Sequence, residues 1–280
     1  MGALSGLASV ISRTGNIPTA AVLSSIYIYA RLQSERAYLR SEDGSHRHRS
    51  SIRSWLASTR LARSSMRFDM SDGSRIRSRI VDGGALLSVH VDRDYDVPGV
   101  DWSAARAIID IGAHVGAFTV WAARRAPNAR LAAVEPNPET FELLVRNIRD
   151  NGLKDRVTAV NAAVGGEPGT GYLERTSHSL GTRIARSGTG PVRVRVQALV
   201  GLMAEARMDT VDVLKIDCEG MEYDALEAMG PDNLQAIRTL ACEYHPEPGR
   251  GVQELDRLLH LAGFMVERPD APLGVLWARR

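Results

Sequence analysis

Lysine, cysteine and aromatic residues are scarce in this 280-residue chain. Only Cys218 and Cys242 are present, so a disulfide scaffold or a four-cysteine zinc site is excluded. The chain has 44% hydrophobic and 24% charged residues, which is typical of globular proteins and excludes a collagen-like, coiled-coil or mainly disordered protein. Such sparing use of cysteine predicts a reducing, cytoplasmic location.

Long apolar runs are also missing. The longest, over 17–30, contains Pro18, Thr19, Ser24 and Ser25, and it is shorter than the roughly 20 residues that a membrane-spanning helix needs. The first residues lack a basic segment followed by a clear cleavage site. We therefore predict neither a membrane span nor a secretory signal.

Positive charge is concentrated near the N terminus. Residues 1–80 contain 13 Arg, no Lys and 5 acidic residues, a net charge of +8, so the other 200 residues carry −6. We predict an Arg-rich helical cap over 1–66, with helices over 20–33 and 52–63, and a second domain over 67–280. The charge asymmetry indicates that the cap meets either its own acidic domain or an anionic ligand.

The second domain begins with a strand pattern and then alternates between strands and helices. Asp72-Gly73 lies between two strand-like stretches and predicts a β-hairpin; a further strand is expected over 85–91. The later alternation predicts an α/β fold with a doubly wound, mostly parallel sheet. Helices are expected over 115–125, 138–151 and 199–206, a loop over 165–190, and strands over 107–111, 131–134, 157–160, 192–196 (at an edge), 211–216, 237–243, 264–267 and 275–277.

The first candidate site follows the strand that ends at Asp110 and Ile111. Gly112 and Gly116 allow a sharp turn into a helix and a close approach of the backbone to a ligand. Asp110 can meet a cationic group at the same edge of the sheet. This arrangement is typical of a nucleotide-binding crevice.

Glu135 strengthens that interpretation. It lies 25 residues after Asp110, at the carboxyl end of the next strand. An acid in this position can accept hydrogen bonds from both hydroxyls of an adenosyl ribose and would repel a ribose 2′-phosphate. We therefore predict that Glu135 binds a ribose.

A third segment places several acids after the strand over 211–216. Asp217, Glu219 and Glu222 are close in sequence and would raise one another's pKa unless a cation or hydrogen bonds intervene. One of them could act as a general base near neutral pH. A simpler alternative is that Glu219 and Glu222 only begin a helix, where acids suit the helix dipole.

Glu243 and His245 end the following strand and are expected to face the same crevice. His245 joins Asp217 and Glu219 as a candidate base, and the sequence does not decide among the three. A magnesium ion held by Asp217 and Glu243 is a lesser alternative. No third ligand is evident from the sequence, so we predict no metal site.

Four motifs in this order resemble the FkbM family of S-adenosylmethionine-dependent methyltransferases. They are Asp-Ile-Gly-Ala-His-Val-Gly-Ala-Phe-Thr at 110–119, Val-Glu-Pro-Asn-Pro at 134–138, Asn-Ala-Ala-Val-Gly at 161–165 and Leu-Lys-Ile-Asp-Cys-Glu-Gly-Met-Glu at 214–222. The resemblance extends from about Phe68 to the C terminus. It implies the Rossmann-like class I methyltransferase fold, whose seven-stranded, mostly parallel sheet has an antiparallel last strand.

The resemblance also implies S-adenosyl-L-methionine as cofactor and gives roles to individual residues. Asp110, Gly112, His114 and Gly116 would line the methionine part, Glu135 would hold the ribose, and Asn161 and Ala162 would lie near the adenine. Relatives often have Asn or Gly where this chain has His114. The complete predicted cofactor-binding set is Asp110, Gly112, Ala113, His114, Gly116, Thr119, Glu135, Asn137, Asn161, Ala162 and Asp217.

The function that the resemblance implies is methyl transfer to a hydroxyl of a small molecule, a sugar or a polyketide-type secondary metabolite. Transfer to RNA is an alternative because of the Arg-rich cap, but aromatic residues for base stacking make up only 5% of the chain. A non-catalytic nucleotide-binding module is another alternative. Hydride transfer with NAD is disfavoured because the third glycine of its motif is missing. Homo-oligomerisation stays open.

Overall fold

The computed structural model describes residues 3–38, 63–173, 184–185, 192–245, 247, 249–271 and 273–280. Within these residues the chain divides into two compact units, one ending at Arg93 and the other beginning at Asp94. Most of the helix predicted over 52–63 lies outside the described residues. No helix in the described part of the chain is both long and apolar enough to cross a membrane.

The first unit combines helices with a β-hairpin. Its elements are α1 (Ala3–Arg13), α2 (Ile17–Tyr38), β1 (Ser65–Asp69), β2 (Arg75–Arg79), a 3₁₀ turn (Ile80–Asp82), α3 (Gly83–Leu87) and a π-helical turn (Ser88–Asp92). α2 therefore extends beyond the predicted 20–33 at both ends. Asn16 begins it, since the Asn16 side chain accepts a hydrogen bond from the Thr19 backbone N–H at 2.9 Å.

The hairpin prediction is confirmed, whereas the strand predicted over 85–91 is wrong. β1 and β2 are antiparallel, and the fully buried Phe68 and Ile76 lie opposite each other. Residues 85–91 instead form α3 and the π-helical turn. Leu86 and Leu87 are consecutive buried residues, so this stretch lacks the alternating burial of a strand with one exposed face.

A seven-stranded sheet organises the second unit. The strands of this sheet are β3 (Ala107–Ile111), β4 (Arg130–Val134), β5 (Val157–Val160), β10 (Val211–Ile216), β11 (Ile237–Tyr244), β12 (Met265–Glu267) and β13 (Gly274–Arg279). Their order across the sheet is β12-β13-β11-β10-β3-β4-β5. The helices of this unit are α4 (Ala117–Arg125), α5 (Pro138–Asp150), α6 (Leu199–Glu205), α7 (Glu222–Leu234) and α8 (Val252–Leu261).

The direction of the strands confirms the predicted fold class. β3, β4, β5, β10 and β11 are mutually parallel, and β13, the last strand of the chain, is antiparallel to β11. The chain adds β4 and β5 on one side of β3 and later adds β10 and β11 on its other side. The strand order therefore reverses between β3 and β10, which is where an open α/β sheet binds its ligand.

A smaller sheet in the same unit was not predicted. Its order is β6-β9-β7-β8, and its strands are β6 (Ala163–Gly165), β7 (Gly169–Leu173), β8 (Ile184–Ala185) and β9 (Val192–Ala198). The prediction of a loop over 165–190 is therefore wrong for β7 and β8. The predicted edge position of residues 192–196 is also wrong, because β9 pairs with β6 on one side and with β7 on the other.

The helices begin where the local sequence favours them. Asn137 caps α5, since its Oδ1 accepts a hydrogen bond from the Glu139 backbone N–H at 3.0 Å, and Pro138 occupies the first helical position. α7 begins at Glu222 and is interrupted at Gly230, just before Pro231. The central strands β3, β4 and β10 are almost wholly buried because helices cover the sheet.

Candidate active site

The glycine turn after β3 is shaped by the backbone that follows β10. Gly112 has a φ of +69°, and a Cβ atom placed on it would lie 1.7 Å from the Asp217 carbonyl oxygen. The Asp217 N–H also donates a hydrogen bond to the Ile111 carbonyl at 3.1 Å. Glycine is therefore required at position 112 by close packing within the protein, in addition to the sharp turn that the sequence predicts.

Glu135 is held rigidly at the end of β4. Its Oε2 accepts a hydrogen bond from the His114 backbone N–H at 2.9 Å, and its Oε1 accepts one from the Asn137 backbone N–H at 2.8 Å. Burial raises the pKa of Glu135 to about 7, although these two donors act in the opposite direction. The carboxyl group is thus fixed directly beside the turn that contains Gly112.

Asp110 forms a buried ion pair instead of an open anionic surface. Its side chain is fully buried; Oδ1 lies 3.2 Å from Lys215 Nζ, and Oδ2 accepts a hydrogen bond from Thr119 Oγ1 at 2.5 Å. Lys215 Nζ also donates to the carbonyls of Ile111 and Gly112 at 3.1 and 2.7 Å. Asp110 and Thr119 therefore support the turn through Lys215 and the protein interior.

The remaining predicted cofactor-binding residues lie in this turn, after β4 and after β5. The Ala113 N–H donates to the Val134 carbonyl at 2.9 Å, which joins the turn to β4. The Asn161 side-chain amide donates to the Glu135 carbonyl at 2.8 Å, and Ala162 is fully buried. His114 and Gly116 both have positive φ, and Asn137 is engaged as the cap of α5.

A second group of polar side chains lies after β10 and at the end of β11. We call it the acid–histidine cluster, and its members are Asp217, Glu219, Glu222, Glu243 and His245. All three predicted candidate bases belong to it. His245 Nε2 lies 3.5 Å from Glu219 Oε2 and 3.9 Å from Glu243 Oε1.

Glu222 organises this cluster from within the protein. It is fully buried, and its Oε1 accepts a hydrogen bond from the His245 backbone N–H at 2.7 Å and lies 3.1 Å from His245 Nδ1. Its Oε2 accepts a hydrogen bond from the Gly220 backbone N–H at 2.8 Å. The imidazole is consequently held with Nε2 towards Glu219 and Glu243.

The electrostatic environment shifts several pKa values in the acid–histidine cluster. Burial raises the pKa of Glu219 to about 7; nearby His245 lowers it, while Asp217 and Glu243 add to the increase. Burial lowers the pKa of His245, but the hydrogen bond and charge of Glu222, with the charges of Glu219 and Asp217, raise it to about 9. Burial and the charge of Asp217 raise the pKa of Glu243.

Two residues that the sequence analysis did not assign contact the acid–histidine cluster, and one of them, Lys215, also links it to the glycine turn. Tyr95 donates a hydrogen bond from its hydroxyl to Glu243 Oε2 at 2.5 Å and lies 3.2 Å from Asp217 Oδ2. Lys215 Nζ lies 3.7 Å from Asp217 Oδ2, besides its contact with Asp110. Lys215 could have been suspected as one of only two lysines in the chain, whereas nothing in the sequence distinguishes Tyr95.

The fold and the site together define a class of protein. A glycine turn after the first parallel strand, a buried acid after the second and an antiparallel last strand are the features of the class I methyltransferase fold. The family described as "Methyltransferase FkbM domain" matches residues 110–266, more than half of the chain. The chain belongs to this family of methyltransferases.

The chain is similar to several named methyltransferases. The chain is 24% identical over 215 residues to methyltransferase sdnD of Sordaria araneosa, covering 65% of this chain and 82% of that protein. It is 26% identical over 215 residues to the 31-O-demethyl-FK506 methyltransferase FkbM of Streptomyces tacrolimicus, covering 66% and 82%. The solved structure of methyltransferase FkbM from Methylobacillus flagellatus has 12% identity and a TM-score of 0.44, covering 82% of this chain and 58% of that one.

Proposed function

We propose that this protein transfers a methyl group from S-adenosyl-L-methionine to a hydroxyl group of a small molecule. Membership of the FkbM methyltransferase family supports methyl transfer. One similar protein is named for methylation at an oxygen of FK506, which favours a hydroxyl on a sugar or a polyketide-type metabolite as the acceptor here. S-adenosyl-L-methionine supplies the methyl group on a positively charged sulfur.

The position of Glu135 is the observation that carries the proposal. Its carboxylate is fixed by two backbone N–H groups beside the close turn at Gly112. Each oxygen of a carboxylate can accept more than one hydrogen bond, so Glu135 can accept the two ribose hydroxyls while keeping its backbone contacts. Asn161, the residue after β5, donates a side-chain hydrogen bond to the Glu135 carbonyl and so holds the Glu135 backbone in place.

The acid–histidine cluster supports a role in acceptor binding and proton removal. The rate of methyl transfer depends mainly on holding the acceptor oxygen in line with the methyl group. Removal of the hydroxyl proton requires a base, and Asp217, Glu219 and His245 are the candidates. Glu219 has a pKa near neutrality, which favours it for exchanging a proton with an acceptor near pH 7.

The binding part of the proposal is tested by isothermal titration with S-adenosylhomocysteine. We expect the wild-type protein to bind it and Glu135→Ala to weaken the binding at least tenfold, since two hydrogen bonds to a charged group are lost. The control is Glu142→Ala, which removes an exposed acid from α5. Equal affinities in both variants would refute the ribose assignment.

The chemical part is tested by supplying ¹³C-methyl-labelled S-adenosyl-L-methionine with a panel of hydroxylated sugars and polyketides. We expect a product whose labelled methyl has the NMR shift of an ether. A labelled methyl bonded to nitrogen or carbon would refute O-methylation. Tight binding of S-adenosylhomocysteine without turnover on any acceptor would instead favour the non-catalytic module.

A further inference from the structure

Three side chains of the acid–histidine cluster lie close together at the carboxyl ends of β10 and β11. Asp217 follows β10, Glu243 lies in β11, and His245 follows β11. A ligand atom from each of them lies within 4.8 Å of those of the other two. Ligands bound at about 2.1–2.3 Å to one cation are separated by roughly 3 to 4.5 Å, so only a small contraction would be needed to complete a cation site.

The imidazole of His245 has the orientation that metal-binding histidines show. Its Nδ1 faces Glu222, a fully buried carboxylate outside the ligand group, while Nε2 is directed to Glu243 and Glu219. Metal-ligating histidines commonly donate their other N–H to such a carboxylate, which fixes the tautomer and the ring orientation. This contact is independent of the acids that would hold the ion.

The two carboxylates also share a contact with one hydroxyl group. The Tyr95 hydroxyl contacts Oδ2 of Asp217 and Oε2 of Glu243. Oε1 of Glu243, in contrast, faces His245 Nε2. Tyr95 therefore engages one oxygen of each carboxylate and leaves Oε1 of Glu243 facing His245.

Charge balance supports the same conclusion. The acid–histidine cluster contains four carboxyl groups and one imidazole, and the nearby Lys215 lies closer to Asp110, at 3.2 Å, than to Asp217, at 3.7 Å. Half-buried like charges are costly unless they are compensated. A divalent cation would add net positive charge even though His245 must lose its proton to bind it.

We propose that Asp217, Glu243 and His245 bind a divalent cation that holds the acceptor oxygen, with Glu222 positioning His245. Two carboxylates with one imidazole suit Mn²⁺, Fe²⁺ or Zn²⁺ better than Mg²⁺, because imidazole is a softer ligand than oxygen. The proposal rests on the proposed function for the role of the cation. An acceptor hydroxyl bound to it would have a lowered pKa and would lie at a fixed place.

The test is titration of the protein with MnCl₂, followed by calorimetry and by the loss of the free Mn²⁺ signal in electron paramagnetic resonance. We expect one site per chain in the wild type and at least a hundredfold weaker binding in His245→Gln and in Glu243→Gln. The matched controls are His260→Gln and Glu267→Gln, which change exposed residues elsewhere in the same unit. Circular dichroism establishes that each variant is folded.

Glu222→Gln provides the second measurement. It keeps the three ligands but weakens the hydrogen bond to His245, so we expect a tenfold to hundredfold loss of Mn²⁺ affinity. Absence of a Mn²⁺ site in the wild type, or equal affinity in His245→Gln and His260→Gln, would overturn the proposal.

Titration with S-adenosylhomocysteine separates this result from the proposed function. A protein that binds S-adenosylhomocysteine but no Mn²⁺ would refute the cation site and leave the methyltransferase proposal standing. A protein that binds Mn²⁺ but no S-adenosylhomocysteine would support the cation site and refute the methyltransferase proposal.

Discussion

The edge of the sheet at which the parallel strands end has two halves, and these are built in different ways. The half after β3 and β4, which we call the glycine–glutamate pocket (110–119 and 134–138), consists of backbone contacts and one buried ion pair. The half after β10 and β11, the acid–histidine cluster, consists of half-buried side chains around one buried carboxylate, Glu222. One half is therefore fixed mainly by the backbone and the other by side chains, so substitutions should act on packing in the first half and on charge in the second.

The largest effect is expected at Gly112, where a substitution tests how rigid the glycine–glutamate pocket is. Gly112→Ala should destabilise the protein by roughly 3–5 kcal/mol, because it combines left-handed strain with a severe contact to the Asp217 carbonyl. Urea unfolding measures the loss. Gly152→Ala is the matched control, since Gly152 has a similar φ of +71° and no atom within 4 Å of its Cβ position. It should cost about 1 kcal/mol, and equal losses would show that packing is unimportant at Gly112.

The second prediction concerns the buried ion pair beneath the turn. Lys215→Met should cost about 3–5 kcal/mol of stability, because it leaves Asp110 buried without its partner. Lys154→Met changes the only other lysine, which is exposed, and should alter stability by less than about 0.5 kcal/mol. Adding Asp110→Asn to Lys215→Met should restore part of the loss. Urea unfolding that finds no coupling between positions 110 and 215 would contradict the ion pair's role.

The third prediction concerns the protonation of Glu135 in the glycine–glutamate pocket. The pKa of Glu135 is raised to about 7, so its carboxyl group becomes fully ionised only above that pH. The affinity for S-adenosylhomocysteine should therefore increase with pH, roughly tenfold between pH 6 and pH 8. Isothermal titration at both values measures it, and Glu135→Gln should remove the dependence. If Glu135→Gln kept the full pH dependence of the affinity, another titrating group would be its cause.

The smallest effect is expected at the side-chain amide that joins β5 to the pocket. Asn161→Ala removes hydrogen bonds to the carbonyls of Glu135 and Pro136. We expect a loss of about 1 kcal/mol in stability and a few-fold weaker binding of S-adenosylhomocysteine. Asn233→Ala removes a comparable contact within α7, so thermal unfolding should change similarly while binding does not. Unaltered binding in Asn161→Ala would show that Glu135 needs no support from β5.

Much of the seven-stranded sheet could be predicted because its strands are short apolar runs between helices that have clear start signals. β3, β10 and the cap at Asn137 are examples. Residues 85–91 were misassigned because an apolar run does not by itself distinguish a buried helical turn from a strand. β7 was missed because Gly169 and Gly171 suggest a loop, while its pairing with β9 is a long-range interaction. β8 was missed because it is only two residues long, and it pairs with β7.

Local spacing and the common direction of parallel strands were enough to predict the fold class, the family resemblance and the position of Gly112 and Glu135 beside each other. Three features emerge only in the folded chain: Asp110 pairs with Lys215, Tyr95 joins Asp217 to Glu243, and Glu222 orients His245. These contacts join residues from 23 to 148 positions apart, or depend on rotamers that packing selects, so no local pattern in the sequence reveals them.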